Sequence, residues 1–257
     1  MYNNKMRKSE KVKAIVIKSR TSGEKDKILK LLCSDGRIIN AVSKGAVGIK
    51  SKNRASSMLF CLSDFVLTYT GDMAYVSSSE VIKGFWGIGQ DIFRMSCASY
   101  ISEAASFLEN ADMFEDDTLY RLLGHTLTIL EKADENSVLI IAVTFMLKLA
   151  GIMGIAPEFD KCVSCGEESE YYFFSSRYGG TVCPVCVPAM MDEAVLEKNE
   201  ARYLKLLMYI DIRKIPSLEY PEKSVSAKLA ACVNGYLSEY FHKKNNSYDM
   251  FIGLFNI

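Results

Sequence analysis

The chain has 257 residues, 49% of them hydrophobic and 24% charged, and this composition excludes an intrinsically disordered protein. Its formal net charge is zero, but residues 1–60 hold 15 of the 31 Lys and Arg residues and only 4 of the 31 Asp and Glu residues. A basic N-terminal block on an otherwise acidic chain indicates either an anionic partner, most often nucleic acid, or a solvated basic face.

The first 85 residues are predicted to form five short β-strands. Val12, Ala14 and Val16 alternate with other residues and predict a first strand with one well-buried face. Asp35-Gly36 is a strong hairpin signal between the second and third strands. The predicted strands are residues 11–20, 27–34, 37–46, 58–71 and 73–85. Five antiparallel strands favour a small closed barrel of the oligonucleotide/oligosaccharide-binding (OB) type, and an SH3-like barrel is the alternative.

A polar loop at residues 45–57 follows the third strand. It carries three basic side chains, Lys50, Lys52 and Arg54. Its only predicted apolar anchors are Val47 and Ile49.

From residue 88 onward the hydrophobic period changes from two to about 3.6, which predicts helices. The predicted helices are residues 91–110, 115–133, 135–155, 197–212 and 221–244. The apolar stretch 137–157 is long enough to cross a membrane, but it contains Lys148 and has acidic flanks. We therefore expect it to be a helix buried in a protein core.

Four cysteines form two tight pairs with the spacing C-x2-C-x17-C-x2-C: Cys162, Cys165, Cys183 and Cys186. This spacing is typical of a zinc site in which a hairpin folds the second pair back onto the first. Two disulfides are the alternative, and iron is an alternative metal. The N-terminal residues lack an apolar run long enough for a secretory signal, so we expect a cytosolic protein with reduced thiols.

Such a site is expected to be structural, because four thiolates fill the tetrahedral shell of zinc and leave no position for substrate. A zinc deaminase would need a nearby H-x-E motif, and a redox C-x-x-C would not follow a second such pair. His125 and His242 lie far from the cysteines, and no nucleotide-binding or hydrolase motif is present. We expect no enzyme.

Residues 23–46, GEKDKILKLLCSDGRIINAVSKGA, resemble the N-terminal barrel signature of the RecO family of bacterial recombination mediators. Residues 145–166, FMLKLAGIMGIAPEFDKCVSCG, and the later GGTVCPVC resemble the helix–cysteine junction and closing half-site of the same family. The resemblance runs in order from about residue 10 to residue 242. It implies an α+β, multi-domain fold: an OB-type barrel (1–85), a helical domain (86–157 and 191–257) and a four-cysteine zinc-binding insert (158–190).

The resemblance also implies a non-catalytic function in DNA repair and recombination. Family members bind single- and double-stranded DNA, anneal complementary strands and help RecA to replace single-strand-binding protein. The implied protein partners are RecR, the tail of single-strand-binding protein, RecF and RecA, with no membrane partner. The implied location is the cytoplasm, in association with the nucleoid. A protein-interaction adaptor, for which DNA contact is incidental, is the alternative.

We expect basic residues on the barrel to neutralise DNA phosphates. The candidates are Arg20, Lys25, Lys27, Arg37, Lys44, Lys50, Lys52 and Arg54. Tyr2 and Phe60 are the only aromatic residues among the first 60, which favours backbone electrostatics over base stacking.

Overall fold

The structure is a computed structural model that describes residues 9–109, 116–187, 194–241 and 243–255. The chain divides into two units, one of residues 1–90 with 102–131 and the other of residues 91–101 with 132–257. The domain boundaries given above stay predictions. His242 and residues 188–190 of the predicted insert lie outside the described residues.

The five predicted N-terminal strands form a closed barrel. They are β1 (Ser9–Ser22), β2 (Asp26–Cys33), β3 (Ile38–Ser43), β4 (Leu62–Thr70) and β5 (Met73–Lys83). Their order is β1-β2-β3-β5-β4, and β1 pairs with β4 to close the barrel. The β3–β5 pair is parallel, which corrects the expectation of a wholly antiparallel barrel. This closed five-stranded barrel confirms the predicted OB-type fold.

The helices follow the barrel. They are α1 (Ile92–Ser106), α2 (Thr118–Leu130), α3 (Glu135–Ile152), α4 (Lys198–Tyr209), α5 (Lys223–Phe241) and α6 (Asn246–Gly253). The first five lie within the predicted segments, whereas α6 was not predicted. Its preceding residue, Asn245, caps it by accepting a hydrogen bond from the Ser247 backbone N–H at 3.2 Å. Two short 3-10 helices lie at Trp86–Gln90 and Ile212–Ser217.

Strand β1 is buried on both faces near its middle. Ala14 and Val16 point into the barrel core, as the alternation predicted. Ile15 and Ile17 on the other face are also buried. The α2 helix accounts for part of this burial, because the Ile15 side chain comes within 3.8 Å of the position that a Cβ would take at Gly124.

Helix α3 is the apolar stretch that length and composition alone would allow to cross a membrane. It is capped by the preceding Asp134, whose carboxylate accepts a hydrogen bond from the Ser137 backbone N–H at 2.8 Å. Of the 18-residue span, 72% is buried inside the protein. Lys148, its one internal charge, donates to the Met208 carbonyl at 3.1 Å. This burial agrees with the prediction of a core helix.

A second, smaller sheet lies next to the two cysteine pairs, and its middle strand in sequence ends directly before Cys183. Its strands are β6 (Tyr171–Ser175), β7 (Gly180–Val182) and β8 (Ala194–Glu197), in the order β7-β6-β8. The β6–β7 pair is the predicted hairpin. Phe174 of β6 stacks between Phe159 and Tyr236, with ring centroids 5.3 Å and 5.1 Å away. Because Tyr236 lies on α5, this stack fixes the sheet to that helix.

Candidate metal centre and basic end of the barrel

Local hydrogen bonds fold each cysteine pair into a turn. In the first pair, the Gly166 N–H donates to the Cys162 carbonyl and the Cys162 N–H donates to the Glu167 carbonyl, both at 2.9 Å. Gly166 has φ +78°, a left-handed conformation that glycine adopts without strain. In the second pair, the Cys186 N–H donates to the Cys183 carbonyl at 3.0 Å. Each turn therefore directs its two thiols to the same side.

The backbone of residues 158–163 joins these two turns. The Val163 N–H donates to the Thr181 carbonyl at 2.9 Å, and the Thr181 N–H donates to the Glu158 carbonyl at 3.0 Å. The two segments approach so closely that a Cβ at Gly180 would lie 2.4 Å from the Glu158 carbonyl oxygen. A side chain at position 180 would therefore push the two backbone segments apart.

The thiol groups of the four cysteines in these two turns lie close together. Their sulfur atoms all lie within 4.8 Å of one another, and Cys165 Sγ is 3.8 Å from Cys183 Sγ. A disulfide would need about 2.05 Å. Four sulfurs at about 2.3 Å from a tetrahedral metal ion lie about 3.8 Å apart, so the arrangement fits such an ion. Cys162 and Cys183 are buried and Cys165 is exposed, which places the cluster at the edge of the insert.

The electrostatics of the cluster also favour a cation. Partial burial would raise the pKa of the Cys162 thiol, but N–H groups of Cys183 and Cys165 donate to its sulfur and lower the pKa to about 6. Hydrogen bonds with the thiols of Cys165 and Cys183 raise the pKa of Cys186 to about 12. Sulfurs this close do not all ionise unless a cation balances their charge. The cluster can therefore hold a metal ion.

The second site is in the barrel unit, where a loop packs against the β1–β2 turn. We call residues 44–57 the basic loop. The Val47 N–H donates to the Lys25 carbonyl at 3.0 Å, and the Gly45 N–H donates to Asp26 Oδ1 at 2.8 Å. These bonds bring the charges of the basic loop beside those of the turn.

Buried serines anchor the basic loop, and of the two expected apolar anchors Val47 is half-buried. Ser57 is fully buried, and its hydroxyl donates to Ser43 Oγ at 2.9 Å. Its carbonyl accepts from Ser19 Oγ at 2.9 Å. The expectation that Ile49 anchors the loop is wrong, because 87% of its side chain is exposed. A buried serine satisfied by neighbouring strands gives no hydrophobic signal in the sequence.

Seven of the eight predicted basic residues lie at this end of the barrel. We call them the basic end: Arg20, Lys25, Lys27, Lys44, Lys50, Lys52 and Arg54. Six are exposed, and Lys27 is half-buried and donates to the Ser57 carbonyl at 3.2 Å. Burial, and then the charge of Arg54, lower the pKa of Lys27. Within the described residues, none of the seven forms an ion pair.

The structure separates Arg37 from the basic end. Arg37 follows the β2–β3 turn, and β2 spans about 20 Å between its two ends. Its guanidinium bonds Asp35 Oδ2 through Nε and Nη2 at 2.9 Å and 2.8 Å, and it also lies 3.4 Å from Glu10 Oε2. These carboxylates raise the pKa of Arg37. Its charge is therefore already neutralised.

Tyr75 is an aromatic residue of the barrel that lies beyond the first 60 residues. Phe60 is buried with 3% exposure, so it cannot meet a ligand. Tyr75 on β5 is half-buried, and Lys44 Nζ lies 5.1 Å from its ring centroid. The alternation with buried Ala74 and Val76 is the sequence signal that places Tyr75 on the outer face.

Comparison with known proteins finds matches along nearly the whole chain. Residues 6–85 match the family model "Recombination protein O N terminal", and residues 89–249 match "Recombination protein O C terminal". A protein of Caldanaerobacter subterraneus is 32% identical over 82% of this chain and 85% of its own length. Proteins of Acetivibrio thermocellus and Bacillus subtilis are 29% and 26% identical, over 93% and 90% of this chain and 94% and 89% of theirs. Each of the three is named DNA repair protein RecO.

Proposed function

Because the chain belongs to the recombination protein O (RecO) family, we propose that it is a non-catalytic DNA-binding mediator of recombinational repair. It binds single- and double-stranded DNA, anneals complementary strands and assists the loading of RecA together with RecR. The observation that carries the proposal is the basic end, where seven cationic side chains lie together without ion pairs to other described residues.

The basic end acts through charge. Lys and Arg side chains that neutralise phosphates release condensed counterions, and this release supplies affinity without regard to sequence. Two complementary strands held on one cationic surface repel each other less, so they pair faster. The anchored basic loop supports this role because it holds Lys50, Lys52 and Arg54 out into solvent.

The four cysteines hold a structural Zn²⁺ in this proposal. Cys162, Cys165, Cys183 and Cys186 would supply all four ligands, and the ion, when bound, supplies cross-linking of the two turns. Thiolate ligands also suit iron, and metal analysis of the purified protein distinguishes the two. The insert owes its position on α5 to the aromatic stack at Phe174.

Family membership supports the remaining assignments. The protein partners are RecR, the tail of single-strand-binding protein, RecF and RecA, and the place of action is the cytoplasm, at the nucleoid. The burial of α3 in its own unit supports a protein without a membrane partner.

A titration of single-stranded DNA against salt tests the proposal. If about six phosphates are contacted, the affinity falls by about three orders of magnitude between 50 and 200 mM salt. Strand annealing, followed with two complementary oligonucleotides, weakens over the same range. A flat salt response, or no binding at 50 mM salt, would overturn the proposal and favour an adaptor that binds only proteins.

A further inference from the structure

Three residues from three strands line up across the outer face of the barrel. Ile28 on β2 pairs with Val42 on β3, and Val42 pairs with Tyr75 on β5. All three are half-buried, whereas the strand neighbours Leu29 and Ala74 are buried in the barrel core. Because side chains alternate between faces along a strand, the three point outward. They form a continuous apolar row.

Cations frame this row at both ends. Arg20 on β1 pairs with Ile28 and is exposed. At the other end, Lys44 Nζ lies over the Tyr75 ring, 5.1 Å from the centroid. We call Arg20, Ile28, Val42 and Tyr75 the stacking row.

The next row along the same strands is bonded to a carboxylate of the protein. Lys18 pairs with Lys30, and Lys30 pairs with Asn40. The carboxylate of Glu109 bonds both Lys30 and Asn40. An anionic group of the chain itself thus occupies that row, whereas a cation covers Tyr75.

We propose that the stacking row binds a nucleobase of single-stranded DNA, with Tyr75 stacking on the base and Lys44 moving from the ring to a neighbouring phosphate. The inference rests on the proposed function and assigns the residue on which a base stacks. Stacking of a base on an aromatic ring is stronger than a cation–π contact at an exposed site. The exchange is therefore favourable, and Lys44 gains a phosphate in place of the ring.

This site distinguishes single strands from duplexes. In a duplex both faces of each base are already covered by neighbouring bases, so none is free for Tyr75. In a single strand the face is free, and stacking leaves the hydrogen-bonding edge of the base available for a complementary strand. Apolar Ile28 and Val42 beside the ring extend the platform without a sequence preference, since every base has a π-face.

The test compares two oligonucleotides of equal length and charge, oligo(dT) and its abasic counterpart. Tyr75→Ala is expected to weaken binding of oligo(dT) about tenfold and to leave binding of the abasic strand unchanged. Tyr75→Phe should bind both strands as the unchanged protein does, because it keeps the ring. Tyr75→Leu keeps an apolar side chain without the aromatic ring. It replaces Tyr75→Ala in this test if the alanine variant does not fold. Tyr171→Ala, which removes a tyrosine with 48% exposure from the insert, is the matched control.

Two results would overturn the inference. One is equal affinity of the unchanged protein for oligo(dT) and the abasic strand. The other is an equal loss for both strands in Tyr75→Ala, which would indicate a disturbed barrel. In either case a preserved salt dependence would leave the proposed function standing, whereas absence of binding to both strands at low salt would overturn both.

Discussion

The cysteine insert and the basic end of the barrel arrange their polar groups in opposite ways. In the insert, four polar groups converge until their sulfurs lie within 4.8 Å. In the basic end, seven like charges share one surface, and six of them are exposed to solvent. In the function proposed above, convergence suits a ligand of fixed geometry, a metal ion, for which each cysteine is needed. Divergence suits a long polyanion, whose phosphates would meet many positions, so each cation would matter less than the sum.

The largest expected effect is in the insert. Cys183→Ser should abolish metal binding and unfold the insert, because structural zinc contributes about 10–16 kcal/mol of apparent binding free energy in peptides. Metal content and thermal unfolding measure this loss. Affinity for single-stranded DNA at fixed salt should change far less.

Val185→Ser is the control for this substitution, since Val185 lies in the same turn with 93% exposure. It should keep both metal and stability. Unchanged thermal stability of Cys183→Ser protein that lacks metal would contradict a structural role for the ion.

Charge reversal at Lys50, Lys52 and Arg54 is expected to have the next largest effect. Removal of three phosphate contacts should weaken DNA binding by about two orders of magnitude at 100 mM salt and flatten the salt dependence by about three units of slope. Filter binding or fluorescence anisotropy over a salt series measures both quantities.

The matched control reverses Lys132, Arg177 and Lys214, which are exposed in the other unit and without ion pairs to the described residues. It changes the net charge by the same amount. An equal loss of affinity in both triple variants would mean that net charge, and not the basic end, governs binding.

Gly180→Ala should lower the stability of the protein by a smaller amount. The new methyl group would overlap the Glu158 backbone, and overpacking of this kind costs about 1–3 kcal/mol in the free energy of unfolding. Gly151→Ala is the control, since Gly151 lies in α3 with no atom within 4 Å of the new Cβ. Chemical denaturation compares the two. If both variants were equally stable, the close approach of the two backbones would not constrain the insert.

The smallest effect is expected at Arg37. Arg37→Ala should leave DNA affinity within about twofold of the unchanged protein, because its charge is shared with Asp35 and Glu10. Lys52→Ala, which removes a cation that forms no ion pair with the described residues, should weaken binding several-fold at 100 mM salt. A loss at Arg37 equal to that at Lys52 would extend the DNA-binding surface to the far end of β2.

The separation along the chain between interacting residues explains what the sequence could predict. The metal centre depends on cysteines three positions apart within each pair and on one hairpin, so spacing alone indicated it. The barrel strands followed from alternation and from Asp35-Gly36, where Gly36 adopts φ +88° and its N–H donates to the Cys33 carbonyl. Short-range patterns of this kind are visible without any knowledge of tertiary contacts.

Contacts between distant residues were not predictable in the same way. Arg37 meets Glu10 across 27 positions, and Ser57 reaches Ser19 across 38. Both depend on strand register, which composition does not report. Tyr75 lies beside Val42 because β5 pairs with β3 in parallel. The prediction of a wholly antiparallel barrel excluded this pairing.

The serine anchors of the basic loop have a consequence for the cost of binding. A loose chain of 14 residues gives up about 1–2 kcal/mol of conformational entropy for each residue that a ligand must immobilise. Ser57 and Asp26 impose much of that order during folding. In the proposed function, the loop would thus meet a DNA strand already shaped, and more of the electrostatic attraction would remain as affinity. These two residues would then affect how tightly the phosphates are held without touching any phosphate.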